Sequence, residues 1–237
     1  MSEVSHRGPN PGVVAVVFVI LKNASLFPVT IFGVAGGFKP PYFPVVTAPP
    51  DQIVAYFSSH AFSVSLLAFL QFGSTIPLGL FTACVVSRLR FLVVRAAGAH
   101  TALFGGLAAA FDSAAAAFVL SVLAMSGVAQ DGTLVRALHL LAFDFGGPGY
   151  AVPTGLLMAG VSVTAGILKL LPRWIVVLGP LLAVVGELSW FAMMMPAFTF
   201  LIPLTRFPGF IWLIAAGFAL PASVTRIAEP SEAEVTS

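Results

Sequence analysis

The stretch LVRALHLLAFDFGGPGYAVPTGLLMAGVSVTAGILKLL, residues 134–171, decides the fold. It is continuous, nearly free of charge and far longer than a β-strand, yet three glycines and two prolines fall between Gly146 and Pro153. A helix crosses the hydrocarbon of a bilayer in about 20 residues at ~1.5 Å each, so this run exceeds one straight crossing. Proline removes a backbone donor and glycine has poor helix propensity. The run therefore reads as one transmembrane helix broken or kinked at Gly146, Gly147, Pro148, Gly149 and Pro153. Lipid cannot satisfy the backbone groups that such a break frees, so it must lie inside the protein or against a watery cavity.

Similar apolar runs recur at 12–36, 57–86, 97–127, 174–200 and 207–225, which with 134–171 make six spans. The expected fold is an all-α, polytopic transmembrane helical bundle. Proline, glycine and charge collect between the runs: KPPYFPVVTAPPDQ at 39–52, RLRFLVVR at 88–95, AQDG at 129–132, KLLPRW at 169–174 and PLTRFP at 203–208. Transmembrane strands would instead alternate apolar and polar residues over segments of about ten. Composition agrees with the helical reading: 8% of residues are charged and the mean hydropathy is +1.03, where a soluble domain carries about a quarter charged residues. Membrane lipids are the expected surroundings. A net charge of +2 without a basic run leaves almost no counterion-release term, which excludes nucleic acid as a partner. Cys84 stands alone, excluding an internal disulfide framework and a thiolate metal cluster.

The domain reading is a cytoplasmic N-terminus at 1–11, a transmembrane domain at 12–225 and a disordered cytoplasmic tail at 226–237, whose sequence RIAEPSEAEVTS is acidic and poor in apolar residues. With both termini inside, Arg7, Arg88, Arg90, Arg95, Lys169, Arg173 and Arg226 lie on the cytoplasmic side, against Lys39, Arg136 and Arg206 outside. Cytoplasmic loops retain basic residues, so N-in and C-in is the expected orientation.

Ionisable residues within spans are the informative positions, because each costs about 2.5 to 3.5 kcal/mol at the bilayer centre on insertion scales. Lys22, Asp112, Asp144 and Glu187 qualify, one on each of four helices. Gly105, Ala109, Ser113 and Ala117 form a small-residue stripe beside Asp112, and Gly179 and Ala183 precede Glu187 at four-residue spacing. Such stripes let helices approach closely, within one chain or with another membrane protein or a second copy. The expectation is a buried charged cluster in which three carboxylates share one ammonium. Like charges at close range cannot all stay ionised, so the cluster would be a proton or ion site. Asn23 and Gln71 are expected to add neutral hydrogen bonds.

His60 and His139 fall near the outer ends of their spans, a spacing open to bis-imidazole haem ligation. The alternative is interfacial histidines bonded to nearby carbonyls, and no cofactor is expected. The chain contains no HExxH, GxSxG, Walker lysine loop or strand-linked GxGxxG. Without a nucleophile or metal constellation beside the intramembrane acids, an enzymatic role is not the leading expectation. The aromatic and methionine run from Trp190 to Phe200 suits lipid-facing surface or packing more than a pocket.

The six-span layout, the Pro-rich first outer loop and the segment HLLAFDFGGPGY at 139–150 resemble the bacterial integral-membrane proteins grouped as domain of unknown function 4386. The resemblance extends over about 12–225. It implies a bacterial inner membrane and brings no activity with it. The functional expectation is a bundle that moves or senses a proton, ion or small lipophilic solute through the charged cluster and the broken fourth helix. The alternative is a non-catalytic accessory or scaffolding subunit of a membrane complex, bound through its small-residue faces.

Overall fold

The computed structural model describes residues 2–38, 40–92 and 97–226. Six spans long and apolar enough to cross a membrane run Pro11–Val29, Ala61–Phe91, Ala97–Leu123, Gly132–Ile167, Arg173–Met193 and Pro196–Ala219. The protein is a polytopic helical membrane protein. Large apolar side chains face outward on every span, Ile20, Phe69, Phe111, Ile167, Leu181 and Ile211 among them. Only a lipid surface makes that arrangement favourable.

Local sequence sets where the helices start and stop. Helix α1 (Pro11–Leu26) has Pro11 in its first turn, and the Asn10 side chain accepts a hydrogen bond from the Gly12 amide at 2.9 Å, both N-terminal signals. Two 3-10 turns follow from Phe27 to Gly36, so the first span ends near Val29 and not at 36. A short helix α2 (Pro50–Ser59) precedes α3 (Ala61–Phe91), which continues unbroken through Pro77. Helix α4 (Ala97–Leu123) and the single turn α5 (Ser126–Ala129) lead to α6 (Gly132–Gly146), which is capped by Asp131 accepting from the Thr133 and Leu134 amides at 3.0 Å.

The fourth span breaks at the place the glycines and Pro148 dictate. Gly147 leaves the helical region at φ −95°, ψ −101°, and α7 (Pro148–Ile167) begins with proline in its first turn. Pro148 lacks the amide that would have continued the ladder, and its fixed φ suits a helix start. Pro153 lies inside α7 without interrupting it. At the other end of α7, Lys169 adopts φ +53°, while the Leu170 and Lys169 amides bond back to the Ala165 and Gly166 carbonyls at 2.8 and 3.1 Å. This is a Schellman cap built on a residue other than glycine.

Helix α8 (Arg173–Leu188) passes into a 3-10 turn, Ser189–Met193. A second such turn, Pro196–Phe200, runs directly into α9 (Leu201–Ala219). The sixth span therefore begins well before 207 and carries Arg206 inside it, not in an outer loop. The spans close into a ring in the order α1, α3, α4, α7, α8, α9 and back to α1, with α6 packed on α4. A two-stranded antiparallel sheet, β1 (Ser2–Ser5) with β2 (Ser223–Arg226), ties the two ends of the described chain. Beside it, His6 hydrogen-bonds Ser87 at 3.0 Å and meets Phe91 edge-on, so this residue has structural contacts that its polar sequence context gave no hint of. The expected disordered tail lies outside the described residues beyond Arg226.

Small residues bring α4 and α7 together at backbone distance. A Cβ added to Gly105 would stand 2.5 Å from the Leu157 nitrogen and Pro153 oxygen, and one on Gly160 would stand 2.5 Å from the Gly98 carbonyl. Gly105, Ala109, Ser113 and Ala117 are all buried on this side of α4. The stripe is thus occupied within the chain and not offered to a partner. The same holds for Gly179 and Ala183 on α8, which face α7.

Candidate functional site

The buried face of α1 reads Ala15, Phe18, Lys22 and Ser25, a helical period that turns Lys22 into the ring. Asn23 is one step round the helix, exposed and bonded to the Val19 carbonyl. Lys22 is 1% exposed. Its Nζ donates to the Ser113 Oγ at 2.9 Å and lies 5.3 Å from the centroid of the Tyr150 ring, close enough for a cation–π contact. Gln71 on α3 donates to the Ser113 carbonyl at 3.1 Å.

Arg206 approaches the same ring from α9, its Cζ 5.1 Å from the Tyr150 centroid. One guanidinium nitrogen donates to the Gly146 carbonyl, the last residue of α6. The broken fourth helix thus supplies both an acceptor for Arg206, at the Gly146 carbonyl, and the aromatic face shared by the two cations, in the first turn of α7. The Nε of Arg206 and the hydroxyl of Tyr150 are buried without a hydrogen-bond partner.

The four charges expected to meet do not converge. Among the described residues, Lys22 has Ser113 and Tyr150 as its polar and aromatic neighbours, with no carboxylate in hydrogen-bond or ion-pair contact. Asp112 precedes Ser113, and the ~100° step of a helix carries it round to the other flank of the break. There it shares a depression of ≈ 340 Å³ with Asp144, Pro148, Gly149, Trp190 and Met193. Glu187 is exposed, one residue from the end of α8. The buried face of α8 follows Ile175, Gly179, Leu182, Ala183 and Gly186, and Glu187 falls just outside it. The two aspartates therefore come together while Lys22 and Glu187 stand apart from them and from each other.

Arg206 is the residue that sequence reasoning missed. Prolines on both sides in PLTRFP made it look like a loop residue, but Pro203 falls in the first turn of α9 and Pro208 is tolerated inside it. The signal available was the length of apolar chain from Pro196 to Ala219, which holds only this one charge.

Arg206 also lines a cavity of ≈ 510 Å³ at the end of the bundle opposite the β1–β2 sheet. Its walls are mainly apolar, with Leu26, Val29, Phe43, Leu67, Leu120, Ala142 and Ile202. Gln71, His139, Thr30, Thr47 and Thr199 contribute polar groups, and Gly146 and Gly147 form part of the lining. Size and character match a small-molecule site, apolar with a few convergent polar groups.

His139 is 1% exposed, with the rings of Phe43 and Phe57 each 5.5 Å away. His60 stacks on Tyr56 at 4.7 Å and bonds Ser59 at 2.8 Å. The two imidazoles thus pack on different rings, and Tyr56 and Phe57 meet edge to face at 5.4 Å. No space for a haem between the histidines is left by this packing. Tyr56 lies on α2, outside the spans, and burial pushes its phenol above the ordinary tyrosine range. Among the described residues no group of three or more His, Cys, Asp or Glu is placed to hold a metal ion.

No known protein family, characterised protein or solved structure matches this chain. What the site can do is argued from its geometry.

Proposed function

We propose that this chain takes a small lipophilic solute into the ≈ 510 Å³ cavity beside the broken fourth helix, to move it or to sense it. The single observation that carries the reading is an apolar-walled cavity whose lining includes both a helix break and a half-buried cation. Interrupted helices in membranes persist where they line such a space. The aspartate pair gives weaker support to a proton route, because its depression lies on the flank and apart from this cavity. The scaffold alternative loses its argument from small residues, since both stripes are already buried within the chain. On the resemblance stated above we place the protein in a bacterial inner membrane. On the basic residues at the end shared by the termini we orient it N-in and C-in, with the cavity facing outward.

The reading is tested with a tryptophan reporter at the cavity wall, Phe43→Trp, in nanodiscs, with the parent chain as blank. The probe is 8-bromo-1-octanol, whose bromine quenches tryptophan on contact. Saturable quenching is expected, and it should disappear when the cavity is filled by Ala142→Phe or Thr199→Phe in the reporter background. Quenching that is linear in probe, or unchanged by both fillings, would reduce the cavity to bulk lipid contact.

A further inference from the structure

We infer that the occupant of this cavity carries a negative charge on an apolar tail, with the anionic group held at Arg206 and the charge of Lys22 behind it. The inference rests on the cavity reading above and adds the chemical class of the ligand. Three observations support it. First, Arg206 and Lys22 both lie within 5.3 Å of one aromatic centroid, and no carboxylate reaches either of them among the described residues. An arginine keeps its proton in proteins, so its charge in a low-dielectric interior has to be met by something. The α6 C-terminus, through Gly146, supplies only about half an elementary charge.

Second, Arg206 is part of the cavity lining and, among the described residues, only one of its guanidinium nitrogens is hydrogen-bonded, to the Gly146 carbonyl, so its planar fork still has donor capacity. Guanidinium forks bind carboxylates and phosphates in two-point fashion. Third, the protein's own acids nearest the break, Asp112 and Asp144, face the separate flank depression, and among the described residues no carboxylate lines the cavity. His139, buried on the lining with its Nδ1 unpartnered, adds a further polar group and no carboxylate. The remaining walls are apolar, which suits a hydrocarbon tail.

The anion can reach the site as a free carboxylate amphiphile or as the phosphate of a membrane lipid. The test uses the Phe43→Trp reporter in nanodiscs of neutral phosphatidylcholine and compares 8-bromooctanoate with 8-bromo-1-octanol, which differ only in the head group. Bulk partitioning favours the alcohol. Half-saturation by the carboxylate at a concentration at least ~10-fold lower, a factor that corresponds to ~1.4 kcal/mol, is the expected result. Arg206→Gln should abolish the preference and leave alcohol quenching in place, Lys22→Met should reduce it, and Arg206→Lys should retain part of it. Repeating the titration in phosphatidylglycerol discs separates the sources: carboxylate quenching that vanishes there identifies the lipid phosphate as the natural anion, and quenching that persists identifies a free amphiphile. Equal affinity for both probes in the unmutated site, or a carboxylate preference indifferent to Arg206→Gln and Arg206→Lys, overturns the anion inference while the cavity reading stands. Saturable quenching by neither probe overturns the cavity reading itself.

Discussion

The two halves of the bundle solve the same packing problem in opposite ways. Toward the β1–β2 end, α4 and α7 meet backbone to backbone through Gly98, Gly105 and Gly160. Toward the other end the fourth span breaks at Gly147, and α6 lines a cavity that also holds the half-buried Arg206. Close packing gives the first half its dispersion energy. The second half gives up part of that in exchange for a site, as functional regions commonly do.

The comparison breaks most readily at Gly105. Gly105→Ala places a methyl against backbone atoms that cannot yield, so α4 and α7 must separate, and a loss of about 3 kcal/mol is expected from overpacking. Gly146→Ala, on the looser side, meets only the Ala116 Cβ at 3.3 Å and should change stability by less than ~1 kcal/mol. Thermal unfolding of both variants in nanodiscs decides the matter. Equal losses would mean that the two halves are packed alike.

A middle-sized effect comes from Lys22. Replacing a buried lysine that no carboxylate reaches by an apolar chain of similar shape removes a group that is costly to desolvate, so without added anion Lys22→Met is expected to gain about 2 kcal/mol. Ser113→Ala with Lys22 retained removes the only hydrogen bond that the Lys22 side chain donates among the described residues and should lose ~1 to 3 kcal/mol. In the double variant the serine loss should shrink, because its partner is gone. Destabilisation by Lys22→Met would instead reveal an anionic partner inside the fold.

The smallest effect sharpens the description of the packed half. Lys169 holds a left-handed conformation at the cap of α7, which glycine adopts without penalty. Lys169→Gly should therefore gain about 0.5 kcal/mol, after the extra unfolded-state freedom of glycine is deducted. A loss in the same unfolding assay would assign the lysine side chain a role that its position does not suggest.

Which of these features could be read from the sequence follows from what each depends on. Six apolar runs and a Gly-Gly-Pro-Gly centre are local facts with local consequences, so the spans and the break at Gly147 were legible. The place of Lys22 inside an apolar run demands burial, but its neighbours were not legible: the expected carboxylates stand elsewhere and Ser113 and Tyr150 meet it. Helical phase fixes the side of one helix, and the meeting of Lys22, Ser113, Tyr150 and Arg206 depends on how α1, α4, α7 and α9 are placed around the ring. Glu187 shows the same limit at finer grain. A four-residue spacing from Gly179 suggested an inward direction, but the helix advances 3.6 residues per turn and Gly186, not Glu187, stays on the buried face.

The short sheet sets an order of events during synthesis. Ser2 pairs with Arg226 and Ser5 with Ser223, so the strand that precedes the first span cannot find its partner until the sixth span has been made. Closing a loop that encloses nearly the whole chain carries the largest entropy cost of any contact in the molecule. The clasp should therefore be among the last interactions to form, when the ring of spans has already brought its two strands side by side. Until the sixth span has been made, the side of α1 that α9 covers stays open to lipid.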